Sequence, residues 1–99
     1  MTQLQQLTPH QLADRLLALT NQYGNLSDEL ARILAHKDYK WSALRNTTTS
    51  DKQADRLWYQ TKDGTKERLI DFELKKLQRI MSSIKAVLQV RENEAKKLY

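Results

Sequence analysis

The 99 residues suffice for one domain and leave no room for a second. Seventeen Lys and Arg against twelve Asp and Glu give a net charge of +5, and two Gly with one Pro are too few for the frequent turns of an all-β chain. The lack of Cys excludes a disulfide scaffold, thiolate zinc sites and thiol catalysis, and no run approaches the ~18 apolar residues of a membrane span. With no signal-peptide pattern at the start, the expectation is a soluble, mostly helical protein of the cytoplasm, one domain over residues 1–99, not inserted in a membrane.

Residues 1–8 are expected to be a flexible N-terminus. Thr8-Pro9-His10-Gln11 then has the form of a capping box, with Pro9 at the first helical position, where a missing N–H costs nothing. Leu7 is placed for a hydrophobic staple against Leu12. Apolar residues follow at Leu12, Leu16, Leu19, Tyr23, Leu26, Leu30 and Ile33, alternating steps of four and three that define a heptad seam. Prolonging that register would place Lys37 and Lys40 in the seam. The expectation is instead a shift through Leu34 to Trp41 and Leu44, which keeps the stripe apolar. A long helix is predicted over 9–45, roughly 55 Å at 1.5 Å per residue. Tyr23-Gly24-Asn25 reads locally as a stop and Ser27-Asp28 as a new start, but the seam keeps its phase across them. One continuous helix, bent at most near Gly24, is the favoured reading.

The span 46–65 is predicted as loop and short helix. Asn46 to Asp51 is rich in side chains that compete with helical hydrogen bonds, and Ser50-Asp51-Lys52-Gln53 repeats the capping-box form. A short helix from Asp51 to Thr61 carries Ala54, Leu57 and Trp58 on one face. Lys62-Asp63-Gly64 is expected to close it, with Gly64 in the left-handed region, Thr65 capping the next helix and Glu67 favourable to its dipole. A second long helix over 66–97 places Ile70, Leu74, Leu77, Met81, Ile84 and Leu88 on a matching seam that Ile80 and Val87 widen. Its less apolar extension runs through Arg91, which either snorkels or pairs with an acid to set register, to Ala95 and Leu98.

The predicted fold is therefore all-α: an antiparallel hairpin of two long helices with a short helix at the turn. So small a hairpin leaves part of each stripe uncovered. The core seam residues Leu16, Leu19, Leu26, Leu30, Leu77 and Ile84 are expected to be shared in a homodimeric four-helix bundle, or else to dock another protein.

No motif carries enzymatic chemistry. There is no phosphate-binding loop, dinucleotide glycine pattern, zincin helix or nucleophile elbow, and the carboxylates do not recur as in di-iron bundles. His10 and His36 are too far apart on one helix to share a metal and are read as surface residues. No cofactor and no metal are expected. Charge is uneven, +1 over residues 1–50 and +4 over 51–99. Lys75, Lys76, Arg79 and Lys85 lie between Leu74 and Val90 with no acid among them, a candidate nucleic-acid face. No aromatic is interleaved for stacking, so weak, non-specific binding is the most these four imply. The aromatics gather near the turn. Trp41 and Trp58 are expected to pack together, leaving Tyr39, Lys40, Arg56 and Tyr59, with Lys37, as a candidate protein-interaction patch.

The run from Ser50 to Trp58 followed by Gly64, and the tail from Leu77 through Met81-Ser82-Ser83-Ile84 to Glu94-Ala95, resembles small helical proteins of temperate bacteriophages encoded among early replication and recombination genes. The resemblance covers roughly residues 40–97. It implies a bacterial cytoplasm and a non-enzymatic accessory role, with no catalytic residue to carry over. The expected function is protein–protein interaction, in replication or recombination or in blocking a host defence. Nucleic-acid binding through the basic residues is the alternative.

Overall fold

A computed structural model describes residues 6–97, and these are built from helices without a strand. The helices are α1, Pro9–Arg45, α2, Asp51–Gln60, and α3, Lys62–Lys97. The first five residues of the expected flexible N-terminus, and Leu98 at the far end, lie outside the described residues. The fold class is all-α, two long helices with a short one between them. The described residues divide into two compact units, 6–24 with 75–97, and 25–74.

The first unit starts where the sequence places it. The Thr8 hydroxyl accepts from the Gln11 amide at 3.1 Å, and the Gln11 side-chain oxygen accepts from the Thr8 amide at 2.9 Å. This reciprocal pair satisfies two of the donors that a helix start leaves without partners. Beyond it, α1 runs antiparallel to α3. Gln78 donates to the Tyr23 hydroxyl, and the Arg91 guanidinium donates to the Leu7 carbonyl, so early residues of α1 meet late residues of α3. Of the two readings of Arg91, neither names this backbone carbonyl. Leu12, Leu77 and Ile84 are buried between the two helices, while Leu16 and Leu19 are half-buried. Gly24 lies inside α1 with nothing within 4 Å of where its Cβ would stand, and it has no positive φ. The single-helix reading holds, and the local stop signal at Tyr23-Gly24-Asn25 is overridden.

In the second unit the end of α1, all of α2 and the start of α3 enclose Ala54, Trp58, Ile70 and Leu74. Leu26, Leu30 and Ile33 of α1 are half-buried. Three expectations fail here, each for a packing reason. First, the seam does not shift at Leu34, which is 44% exposed. It passes through Lys37, half-buried, and then steps to Trp41 and Leu44. The extra step of four thus falls one heptad later than expected, between Lys37 and Trp41. Second, α3 starts at Lys62 rather than 66, because Thr61 serves both neighbours. The Thr61 amide donates to the Trp58 carbonyl at 3.0 Å and ends α2, while its hydroxyl accepts from the Gly64 amide at 3.0 Å and begins α3. Thr65, expected as the cap, instead donates its hydroxyl to the Thr61 carbonyl at 2.9 Å. Third, Gly64 is a buried helical residue and not a left-handed one. A Cβ there would stand 1.8 Å from the Trp58 carbonyl oxygen, so the glycine is required by the close approach of α3 to the end of α2.

The α1–α2 loop is tied down from one side chain. Arg45 donates to Asp51 at 2.8 Å and to the Thr48 carbonyl at 3.0 Å, bridging the end of α1 to the start of α2. Ser50 caps α2 by accepting from the Gln53 amide at 3.2 Å. The Gln53 side chain turns one residue further than a capping box requires, accepting from the Thr49 amide and hydroxyl.

Candidate interaction site

Lys37 organises the second unit. Its ammonium donates to Glu67 Oε1 at 2.8 Å, and the Trp58 indole donates to Glu67 Oε2 at 2.9 Å. The carboxylate therefore bridges α1 and α2 from its place on α3, with the Lys37 and Glu67 side chains only 27% and 12% exposed. A cation so placed is tolerable because its charge has a partner and its stem covers apolar surface. Lys37 also lies 5.6 Å from the Trp58 ring centre and 5.8 Å from that of Tyr59. The hydrogen bond to Glu67 raises the Lys37 pKa above its ordinary 10.5, against the opposing effect of burial. Glu67, expected to serve the helix dipole, is spent on this network.

The two tryptophans are each anchored by a carboxylate. Trp41 donates to Asp55 at 2.8 Å, as Trp58 does to Glu67.

The predicted patch of Tyr39, Lys40, Arg56 and Tyr59 is divided. Tyr39, 82% exposed, and Lys40 edge a cavity of about 400 Å³ floored by Leu44 and Trp58. Arg56 and Tyr59 belong to a different groove of about 420 Å³ between α2 and α3, with Lys52, Asp55, Gln60 and Arg68. No lining residue is common to the two. Lys40 is paired with Asp63, whose carboxyl is held below its usual 3.8 by that hydrogen bond. Lys52 and Arg68 were missed by sequence reasoning. The i, i+4 spacing of Lys52 and Arg56 was a usable signal; the approach of Arg68 from α3 had none. Its guanidinium lies 4.3 Å from the Tyr59 ring centre.

Lys75, Lys76, Arg79 and Lys85 are all exposed, as a nucleic-acid face requires. They do not form one face, however. At 3.6 residues per turn, Lys76 and Lys85 stand about 180° apart around α3. Among the seam residues, Leu16, Leu19, Leu26 and Leu30 are half-buried, whereas Leu77 and Ile84 are already buried within the chain. Exposed large apolar side chains lie off the seam at Leu17, Leu34, Tyr39, Leu69, Phe72 and Val90, and of these Leu69 and Phe72 stand one turn apart on α3. His10 faces Asp14 at 3.5 Å on the surface, and His36 is exposed too. Among the described residues there is no group of three side chains able to hold a metal, and no helix is long and apolar enough to cross a membrane.

No family model, no curated protein and no solved structure matches this chain.

Proposed function

We propose that this protein is a non-enzymatic accessory protein of the temperate-phage kind, acting in the host cytoplasm through protein–protein contacts as a recombination or replication accessory or as an inhibitor of host defence. The observation that carries the protein-contact reading is the adjacent pair Leu69 and Phe72, large apolar side chains left open to water on one turn of α3. Contiguous exposed apolar surface marks interaction sites, and an exposed aromatic is the kind of anchor that dominates them. A homodimer is the economical first occupant, with a partner protein the second. The resemblance of residues 40–97 to early-gene phage proteins supports the accessory role.

The test is affinity capture from phage-infected cells with nuclease-treated and untreated lysates, using the natural chain and a Leu69→Ser, Phe72→Ser variant. A partner that survives nuclease and is lost from the variant is the expected result. A partner lost with nucleic acid favours the second reading, in which the exposed Lys75, Lys76, Arg79 and Lys85 contact a phosphate backbone.

A further inference from the structure

The charges of α3 are segregated around its axis. At about 100° per residue, Asp63, Glu67 and Asp71 stand roughly 130–170° around the helix from the midpoint of Leu69 and Phe72. Two of these acids are spent on α1, Asp63 on Lys40 and Glu67 on Lys37. Asp71 lines a cavity with Leu30 and Leu34 of α1. On the opposite side, the exposed Lys76 stands about 10° from that midpoint, and the exposed Lys62 and Arg79 about 50°. Lys62, Lys76 and Arg79 have no carboxylate within 4.0 Å among the described residues. Over residues 62–79, Glu73 is the one acid within about 90° of the midpoint, and it is half-buried.

An apolar pair open to water and bordered by cations is one half of an amphipathic interface. We infer that Leu69 and Phe72 are the docking site for an acidic amphipathic segment of another protein. Its apolar side chains rest on the pair, and its carboxylates meet Lys62, Lys76 and Arg79. The charge pattern thereby decides between the two occupants of this face. A second copy of the chain brings the same cations against their own kind, which opposes a close contact. Single-stranded nucleic acid fits the cations but not the apolar pair. Phe72 is the one aromatic side chain of α3, so successive bases find no second ring to stack on. Leu69 adds aliphatic surface that a protein side chain covers and a phosphate backbone does not.

This inference rests on the protein-contact function proposed above and names the chemistry of the partner. It is tested by fluorescence anisotropy of the purified full chain with three labelled probes: an amphipathic peptide of Glu and Leu, a Lys and Leu peptide of the same pattern, and oligothymidylate. The salt is set near 0.15 M, where screening acts beyond about 8 Å and diffuse attraction is weak. Binding of the Glu/Leu peptide and none of the Lys/Leu peptide is expected. Leu69→Ser with Phe72→Ser is expected to weaken the Glu/Leu peptide at least about tenfold, as loss of a central apolar anchor does. The triple change Lys62→Gln, Lys76→Gln, Arg79→Gln is expected to do the same. Glu73→Gln removes the one acid of this face and is expected to tighten binding several-fold, which a merely structural change does not do. An equal charge change on α1 and α2, Arg15→Gln with Arg32→Gln and Lys52→Gln, is expected to leave binding unaltered. Failure of the Glu/Leu peptide to bind, equal binding of the Lys/Leu peptide, or an equal loss in the α1 and α2 variant overturns the inference. So does tighter binding of oligothymidylate that is lost with Phe72, or a dimer in sedimentation that is lost with the pair. Circular dichroism checks that the variants fold. If the triple or the double variant does not fold, Phe72→Ser alone and the gain from Glu73→Gln carry the test. In the capture experiment, a nuclease-resistant partner lost from the Leu69/Phe72 variant but kept by the Lys62/Lys76/Arg79 variant refutes the acidic partner and leaves the protein-contact function. The absence of any nuclease-resistant partner overturns both.

Discussion

The two glycines of this chain have opposite roles. Gly24 stands in open space inside α1, so Gly24→Ala gains helix propensity and lowers the entropy of the unfolded chain. A rise of about 1 kcal/mol in unfolding free energy is expected from urea titration. Gly64→Ala forces a methyl group into the Trp58 carbonyl, and α3 must move away from α2 to admit it. That change should cost about 3 kcal/mol or more, with loss of the Trp58 environment visible in its fluorescence. Lys37 sets a pH dependence. Its folded-state pKa is raised by the Glu67 hydrogen bond, so the folded state holds this proton more tightly than the unfolded state. The resulting stabilisation is present in full below the ordinary 10.5 and is lost as pH rises through the elevated value. The alkaline decline of the urea midpoint should therefore differ between the natural chain and Glu67→Gln, and the comparison removes the shared titration of the tyrosines.

At the scale of elements, a single residue separates α2 from α3. Because the Thr61 hydroxyl both donates to the Trp58 carbonyl, at 2.5 Å, and accepts from the Gly64 amide, Thr61→Ala removes one side-chain bond at the end of α2 and one at the start of α3, while the Thr61 amide keeps its own bond to Trp58. A loss of about 1–2 kcal/mol is expected, against about 1 kcal/mol for Ser50→Ala or Thr8→Ala, where one helix start is affected. Thermal unfolding of the three variants under one condition checks the order. The largest effect belongs to the side chain that α1, α2 and α3 share through Glu67. Trp58→Ala removes the bulk at the centre of the unit 25–74 and leaves Glu67 with one oxygen unsatisfied, costing about 3–5 kcal/mol.

At the scale of the whole molecule, association and charge are the quantities to measure. If Leu69 and Phe72 serve self-association, sedimentation should report a dimer and melting temperature should rise with protein concentration, both effects lost in Leu69→Ser, Phe72→Ser. Replacing Leu77 or Ile84 by Ala should lower stability by about 2–5 kcal/mol whatever the oligomeric state, since both are buried within one chain. For nucleic acid, the placement of Lys76 opposite Lys85 lets a straight duplex reach three of the four basic residues at most. At ~0.9 per phosphate contact, the salt slope should be no steeper than about −3, with binding fading before physiological salt. A steeper slope, measured by anisotropy between low and moderate salt, would require a binding surface beyond α3.

What could be read from the amino-acid order is what neighbouring residues decide among themselves. The Thr8–Gln11 box, the Ser50 cap, the continuity of α1 through Gly24, and the apolar phase of α3 and of α1 as far as Ile33 depend on residues within a turn or two, and all are present. The grouping of Tyr39, Lys40, Arg56 and Tyr59 was not legible: Arg56 and Tyr59 line one groove and Tyr39 and Lys40 edge another, since helix spacing does not tell which side of a neighbouring helix a residue meets. Tertiary structure alone decided the rest. Lys37 looks excluded from a seam until Glu67, 30 residues away, supplies the opposite charge and Trp58 the aromatic surface. Gly64 looks like a left-handed stop until the Trp58 carbonyl is found where its Cβ would be. Arg68 is one more cation in the sequence, and comes to line the groove beside α2 because α3 carries it onto the ring of Tyr59. Local hydrogen bonding and periodicity act over a few residues and are written in the sequence; charge compensation and close backbone approach join residues that only packing brings together.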